Sequence, residues 1–500
     1  MLRFQSRAGD FCLVFQDLNT LAFGLPSHTT AGIRFRIRPT HWHPTHQGGE
    51  FKHVRNAVYN AHNGRVIANQ TRPEQDALLV EFTVKSERDC SITICISDSP
   101  APAPIPFSVA ADNARMRWEN WFDRVPDING PYREKYAYAW WVMANNLITP
   151  RGLITHEAMM PTKAFYVGAW LWDSALHAIA YRHIDPELAR NQIRVMLAHQ
   201  LSDGMLPDAI FDEGVVSEIS HPIHARVTKP PILAWAALKI HQTDPDIDFL
   251  NEIYDPLTRW NTWWFDFNDD DEDGIVQYTH PYSSGLDNSP LWDHGLPVES
   301  PDINTYLQIQ MSALSAIAAL INKTGEAEVW QKKANALTDR MMEQLWDAEA
   351  GIFRALHHEN PIPVNSPFNL YPLWTGQLPR QITDRLLKHL KDPTEFWGKF
   401  GLPTVAYNDP AYNPDKMWRG PVWANINYFF VEALQKIGEA DLATELRTKT
   451  LDLIASQPGI HEYYNSSTGE IPDTAAPLFG WTAAVFIDLA IQANSQNSIT

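Results

Sequence analysis

Four short segments gather the side chains that can do chemistry. FYVGAWLWDSALHA (165–178) crowds Tyr166, Trp170, Trp172 and Asp173 just ahead of a helix, and YSSGLDNSPLWDHG (282–295) places Asp287 after Gly285 in a polar loop. MWRGPVWANINYFF (417–430) brings Trp418, Arg419 and Trp423 to a helix start marked by Gly420 and Pro421. IHEYYNSSTGE (460–470) sets Glu462 before two tyrosines and a turn. Carboxylates on separate loops beside indole rings suit cleavage of a glycosidic bond. One acid protonates the leaving oxygen while a second carboxylate attacks the sugar or activates water, and the indoles stack on the ring. Each segment also has an ordinary structural explanation. Asp173 suits a helix N-cap, Asp287 an Asx turn, Glu462 a solvated surface position and the 417–430 aromatics a core plug.

Two further segments are weaker signals. HQLSDGMLPDAIFDEG starts at His199 and TKPPILAW at Thr228, and Lys229 in the latter either meets an anion or faces solvent. DDDEDG (269–274) opens like a calcium loop, but His280 stands where the bidentate glutamate belongs, so an acidic turn is preferred and calcium is left open. His156 and Glu157 begin an HExxH pattern that has no second histidine, and His221 and His224 flank a proline and read as structural. No dinucleotide or P-loop fingerprint is present, so no cofactor is expected and no metal is assigned.

Elements with the right periods surround these segments. GIRFRIR, VEFTVK and SITICIS alternate with period two, putting Ile33, Phe35 and Ile37, then Val80, Phe82 and Val84, then Ile92, Ile94 and Ile96 on single faces. They predict a small antiparallel β-sandwich domain over 1–108 that ends in the proline-rich linker Ser99–Phe107. Beyond it, Trp330, Ala334, Leu337, Met341 and Leu345 mark one face of an amphipathic helix. Similar helical segments lie near 111–124, 133–148, 172–183, 186–202, 230–242, 248–267, 303–323, 325–347, 378–391, 420–437, 439–455 and 479–494. About twelve helices with unequal, chemically dense loops predict an α/α toroid over 109–500. No fixed-period repeat supports a solenoid.

Composition narrows the partners. Across 500 residues, 40 Lys and Arg face 59 Asp and Glu, a net charge of −19, which is the wrong sign for nucleic acid or an anionic membrane. No apolar run has the length of a membrane span or the form of a signal peptide, so a cytoplasmic location is expected. Three cysteines, Cys12, Cys90 and Cys95, give no disulfide framework. The 19 Trp and 16 Tyr favour a carbohydrate partner.

WLWDS, SGLDNSP, WRGPVW and HEYYNSSTGE, in this order, resemble glycoside hydrolase family 63 and, more distantly, trehalases. The resemblance implies an (α/α)6 barrel that hydrolyses short α-glucosides or α-mannosides with inversion. It assigns Asp287 as general acid and Glu462 as general base. Tyr166, Trp170, Trp172, Asp173, Gly285, Trp418 and Trp423 would form the sugar pocket. Inversion would separate the two carboxyls by about 6.5–9.5 Å. Similar bacterial members act on glucosylglycerate or mannosylglycerate, and Lys229 or Arg419 would meet such an anionic acceptor. Two departures bear on the acceptor: TKPP stands where a glutamine is common, and Met417 stands where a tyrosine usually precedes the tryptophan. The competing readings are sugar epimerisation or phosphorolysis on the same toroid, which need histidines or a phosphate site, and a non-catalytic carbohydrate-binding protein.

Overall fold

The computed structural model describes residues 1–17, 19–38, 41–52, 56–96 and 102–497. Residues 99–101 of the proline-rich run lie outside this description. The chain divides into two compact units, Met1–Arg124 and Val125–Thr500. No helix among the described residues is long and apolar enough to cross a membrane.

The first unit is an antiparallel sheet of eight strands: β1 Leu2–Ser6, β2 Gly9–Phe15, β3 Thr20–Gly24, β4 Thr30–Ile37, β5 His41–Pro44, β6 Gly48–Lys52, β7 Ala57–Glu74 and β8 Ala77–Ile96. The order is β1-β2-β3-β8-β7-β6-β5, with β4 also pairing along β8. In the β7–β8 ladder Tyr59 sits opposite Ile94 and Phe82 opposite Asn69. A flat ribbon would hold these two rings roughly 40 Å apart, yet their centroids are 5.0 Å apart. The ribbon therefore folds over, at the register irregularities between His62 and Gly64 and between Val66 and Ala68. One sheet thus supplies both layers of the sandwich, around Phe51, Tyr59, Val80, Phe82, Val84 and Ile92.

Ile33, Phe35 and Ile37 pack against that core as the alternation requires, while Arg34 and Arg36 pair with Glu81 and Glu74 at the surface. Ile96 is the exception and is exposed; on the opposite face of β8, Ser91, Thr93 and Cys95 are buried. That face is covered. Helix α1 Phe107–Phe122 seats Ala110 and Ala114 on Val14 and Ala22, and touches β2, β3 and β8. The first of the twelve expected helices therefore belongs to the β unit, and the compact division falls after Arg124 instead of at residue 108.

The second unit contains α2 Arg133–Asn145, α3 Leu171–Tyr181, α4 Pro186–Leu197, α5 Leu233–Thr243, α6 Ile247–Phe267 and α7 Pro301–Leu320, followed by α8 Thr324–Gln344, α9 Arg380–Leu390, α10 Ala424–Lys436, α11 Ala440–Ala455 and α12 Gly480–Asn497. A 3-10 helix, Pro367–Thr375, replaces the helix lost to the β unit. Contacts run α3–α5–α7–3-10 helix–α10–α12 and back to α3, closing an inner ring of six. The outer six pack behind them: α2 on α12, α4 on α3, α6 and α8 on α7, α9 on the 3-10 helix and α11 on α10. This is an (α/α)6 barrel.

Burial follows the layer. Every residue of α3 is buried, polar ones included, as befits a helix with neighbours on all sides. Outer α9 buries only Thr383, Leu386, Leu387 and Leu390, a single stripe. The expected stripe of α8 is buried as predicted, from Trp330 to Leu345. The 3-10 element escaped the periodicity because Pro367 and Pro372 interrupt any 3.6-residue pattern.

Ring closure is pinned by one buried carboxylate. Asp488 on α12 accepts from Arg182 at the end of α3 (2.7 Å), lies 2.8 Å from His183, and accepts from Tyr428 of α10 (2.7 Å). Burial opposes its charge, but Arg182 and His183 outweigh that and hold it below the usual carboxylate range.

Candidate active site

The inner helices present their N-terminal ends to one mouth of the barrel, and the chemistry-bearing segments sit there. Asp173 lies in the first turn of α3, Lys229 in the loop entering α5, Asp287 in the loop before α7, Trp418 and Trp423 at the entry to α10, and Glu462 and Trp481 around the start of α12. Unpaired amides at helix N-termini make such a mouth hospitable to carboxylates. Tyr166, Trp170, Trp172, Asp173, Lys229, Gly285, Asp287, Trp418, Trp423 and Glu462 line a single pocket, together with Pro161, Met417, Phe479 and Trp481.

Trp170, not Asp173, is the N-cap of α3. Asp173 is buried, and its Oδ1 finds no hydrogen-bond partner among the described residues, which leaves it available to a sugar hydroxyl. In the 282–295 loop the neighbouring Asn288 does the structural bonding: its Oδ1 accepts from the Trp418 amide (2.9 Å) and its carbonyl from Arg419 Nε (2.9 Å). Gly285 has φ +73°, and a Cβ there would lie 2.3 Å from the Trp172 indole, so only glycine lets this loop pass the ring. Glu462 is no surface group. It is 3% exposed, and its Oε2 accepts from the Ala476 amide at 3.3 Å.

The indoles form a wall. Trp418 and Trp423 stack at 3.6 Å with planes 8° apart, and Trp481 packs edge-on against Trp172 at 5.1 Å. Trp423 also donates to the Met417 carbonyl at 2.8 Å. The aromatic plug and the pocket wall are thus the same object.

Two cations sit at different depths. Lys229 does not face solvent: it is buried, 2.9 Å from Asp208, and donates to the Tyr282 carbonyl. Burial pulls its pKa down, but Asp208, Asp287 and Asp173 together raise it above the usual lysine value, so it stays charged. Arg419 does not reach the inner pocket. It grips Asp293 with both terminal nitrogens (2.8 and 2.5 Å) and joins the 418 and 288 loops. It lines an adjoining outer cavity with Asn288, Lys416 and Thr474, which shares Tyr166, Met417 and Glu462 with the inner pocket.

The two central carboxyls feel each other. Burial raises Asp287 to about 6, against the pull of Lys229. Burial raises Glu462 to about 8, helped by the charge of Asp287 and opposed by the Ala476 amide and the Tyr166 hydroxyl. Both carboxyls thus hold their protons more tightly than an exposed carboxyl does, which suits the acid role implied by the resemblance and opposes the base role. The described residues lining the pocket include no histidine. In the acidic turn, the Asp269, Asp271 and Asp273 oxygens lie within 4.8 Å of one another, each bonded to a backbone amide of the turn itself, at Gly274, Asp273 and Ile275. His280 is buried and turned towards the His221 carbonyl.

Asp208, Met417, Phe479 and Trp481 were not singled out as site residues from sequence. Asp208 carried a usable signal: a lone charge within the apolar run MLPDAI calls for a buried partner.

A family profile described as the mannosylglycerate hydrolase MGH1-like glycoside hydrolase domain matches residues 166–482. The chain belongs to this family. It is a glycosidase of glycoside hydrolase family 63. The chain is 27% identical over 404 residues to mannosylglycerate hydrolase of Thermus thermophilus, covering 65% of this chain and 95% of that protein. It is 25% identical over 413 residues to glucosylglycerate hydrolase of Mycolicibacterium hassiacum, covering 65% and 92%. A crystal structure of a family 63 mannosylglycerate hydrolase from Thermus thermophilus, in complex with glucose, superposes with a TM-score of 0.61 at 25% identity, covering 72% of this chain and 99% of that one.

Proposed function

We propose that this glycosidase inverts a short α-glucoside or α-mannoside, with Asp287 as general acid and Glu462 as general base. The observation that carries the reading is the meeting of two carboxyls from distant loops in one aromatic-walled pocket. Asp173 takes sugar hydroxyls, the stacked Trp418 and Trp423 wall bounds the ring, and the acceptor points into the outer cavity. Glucosylglycerate and mannosylglycerate, the substrates after which relatives are named, are the first substrates to try. On the acceptor side Lys416 and Arg419 stand beside Asp415 and Glu462, and with Arg419 already gripping Asp293 it is Lys416 that would meet an acid. Lys229, ringed by carboxylates, serves the inner pocket instead.

Substrate sets the proton order. A water donating to Glu462 stabilises its ionised form, and a leaving oxygen accepting from Asp287 stabilises the protonated one. An activated substrate separates this assignment from the reversed one, with Glu462 as acid. Fluoride leaves without a proton, so Asp287→Asn should retain hydrolysis of an α-glycosyl fluoride while losing that of glucosylglycerate, and Glu462→Gln should lose both. The opposite pattern reverses the roles. A proton NMR time course on glucosylglycerate, mannosylglycerate, trehalose and α-linked glucose disaccharides should show the β-anomer first; the α-anomer first would refute inversion.

A further inference from the structure

The Asp208–Lys229 pair lies beside the proposed acid without belonging to the acid–base pair, and both partners are buried, 1% and 4% exposed. A buried ion pair of this kind is costly to desolvate and gives little net stability, so its retention asks for another reason. The geometry offers one. Lys229 Nζ reaches Asp208 Oδ1 at 2.9 Å and donates to the carbonyl of Tyr282. Tyr282 lies in the 3-10 turn Pro281–Ser284, which ends at Gly285 and delivers Asp287 two residues later. The lysine thus holds the arm that carries the carboxyl, and its own charge acts on that carboxyl.

We propose that Asp208 and Lys229 are positioning residues for the proposed acid: the lysine ties down the Asp287 loop through the Tyr282 carbonyl, and the aspartate moderates the positive charge that Asp287 feels. The proposal rests on the acid role given to Asp287 above. The charged and titratable groups around the pair are Asp173 on α3, Asp287 and His280 before α7, and Glu462 and Tyr166 across the pocket. Without Asp208, only Asp173 would temper Lys229, which would hold Asp287 ionised at the pH where it must give up a proton. Without Lys229, Asp287 would keep its proton to higher pH, on a looser arm.

The experiment compares pH profiles of kcat/KM for the natural substrate and for an α-glycosyl fluoride. The limb seen with the first and missing with the second reports Asp287. In Lys229→Gln that limb should move up by at least about one pH unit, and in Asp208→Asn it should move down. The fluoride profile should hold its position in both. The double variant Asp208→Asn/Lys229→Gln, which buries no unpaired charge, should return the limb towards wild type, and it serves if Asp208→Asn does not fold. A Lys229→Gln limb that stays in place, with activity merely lowered at every pH, overturns the proposal and leaves the acid assignment standing. If no limb distinguishes the two substrates in the wild-type enzyme, the acid assignment falls, and the role of the pair falls with it.

Discussion

Replacing Glu462 by Gln should disable the enzyme at every pH and stabilise it by an amount that grows from about pH 5 to about pH 8 and then levels off. Folding buries this carboxyl and raises it from 4.5 to about 8. A carboxyl with raised proton affinity binds its proton more tightly when folded. Its contribution is therefore complete below the unfolded value and is lost as the pH climbs through the folded one. At about 1.4 kcal/mol per pH unit, ionising it in place costs on the order of 5 kcal/mol at pH 9. Glutamine, isosteric with the protonated form, escapes that cost. For a unit the size of Val125–Thr500 the entropy of unfolding is roughly 0.8 kcal/mol/K, so the gain corresponds to a rise in Tm of about 6 °C. Calorimetry at pH 5 and pH 9 is the assay. The variant and wild type should melt together at pH 5 and separate at pH 9, with kcat down by roughly 100- to 10,000-fold throughout. An equal gap at both pH values, or a variant less stable at pH 9, would falsify the claim that an ionised Glu462 strains the folded pocket.

Three other substitutions probe the surroundings. Gly285→Ala forces a Cβ into the Trp172 indole at a positive φ; we expect a loss of about 2–3 kcal/mol by denaturant titration, with kcat falling as the Asp287 loop shifts. Arg419→Ala removes the clasp between Asn288 and Asp293, and steady-state kinetics should show kcat falling about tenfold or more, since misplacing an acid by a fraction of an ångström is costly. Asp488→Asn leaves Arg182 and His183 without their shared carboxylate, and urea unfolding should record a destabilisation of about 3–5 kcal/mol.

The twelve helical segments were legible because outer helices carry stripes and inner ones carry long apolar runs, and each is punctuated by Pro, Gly or polar loops. What the periodicity could not tell was which helix keeps which company: α1 looks like any other amphipathic helix, and only its seat on Val14 and Ala22 assigns it to the sheet. The sixth inner element was invisible for a different reason, since the proline pattern of SPFNLYPLWTG hides a 3-10 helix behind loop chemistry. Asp173 could be singled out by its aromatic company, whereas Asp287 and Glu462 each had an ordinary reading in its own segment and drew their roles from the family resemblance. Asp208 went unnamed because its meaning lies in Lys229, on another loop, and sequence distance conceals a pairing that the barrel mouth brings about.

The closed inner ring also governs when activity can first exist. Its first member, α3, is sealed by its last, α12, and the pocket wall includes Phe479 and Trp481 at the start of that last helix. A ribosome-bound chain can stack its early helices pairwise, yet it has no complete sugar pocket until α12 has been made and docked. Hydrolysis therefore cannot precede α12, and a chain broken off anywhere upstream of it leaves no partly working enzyme.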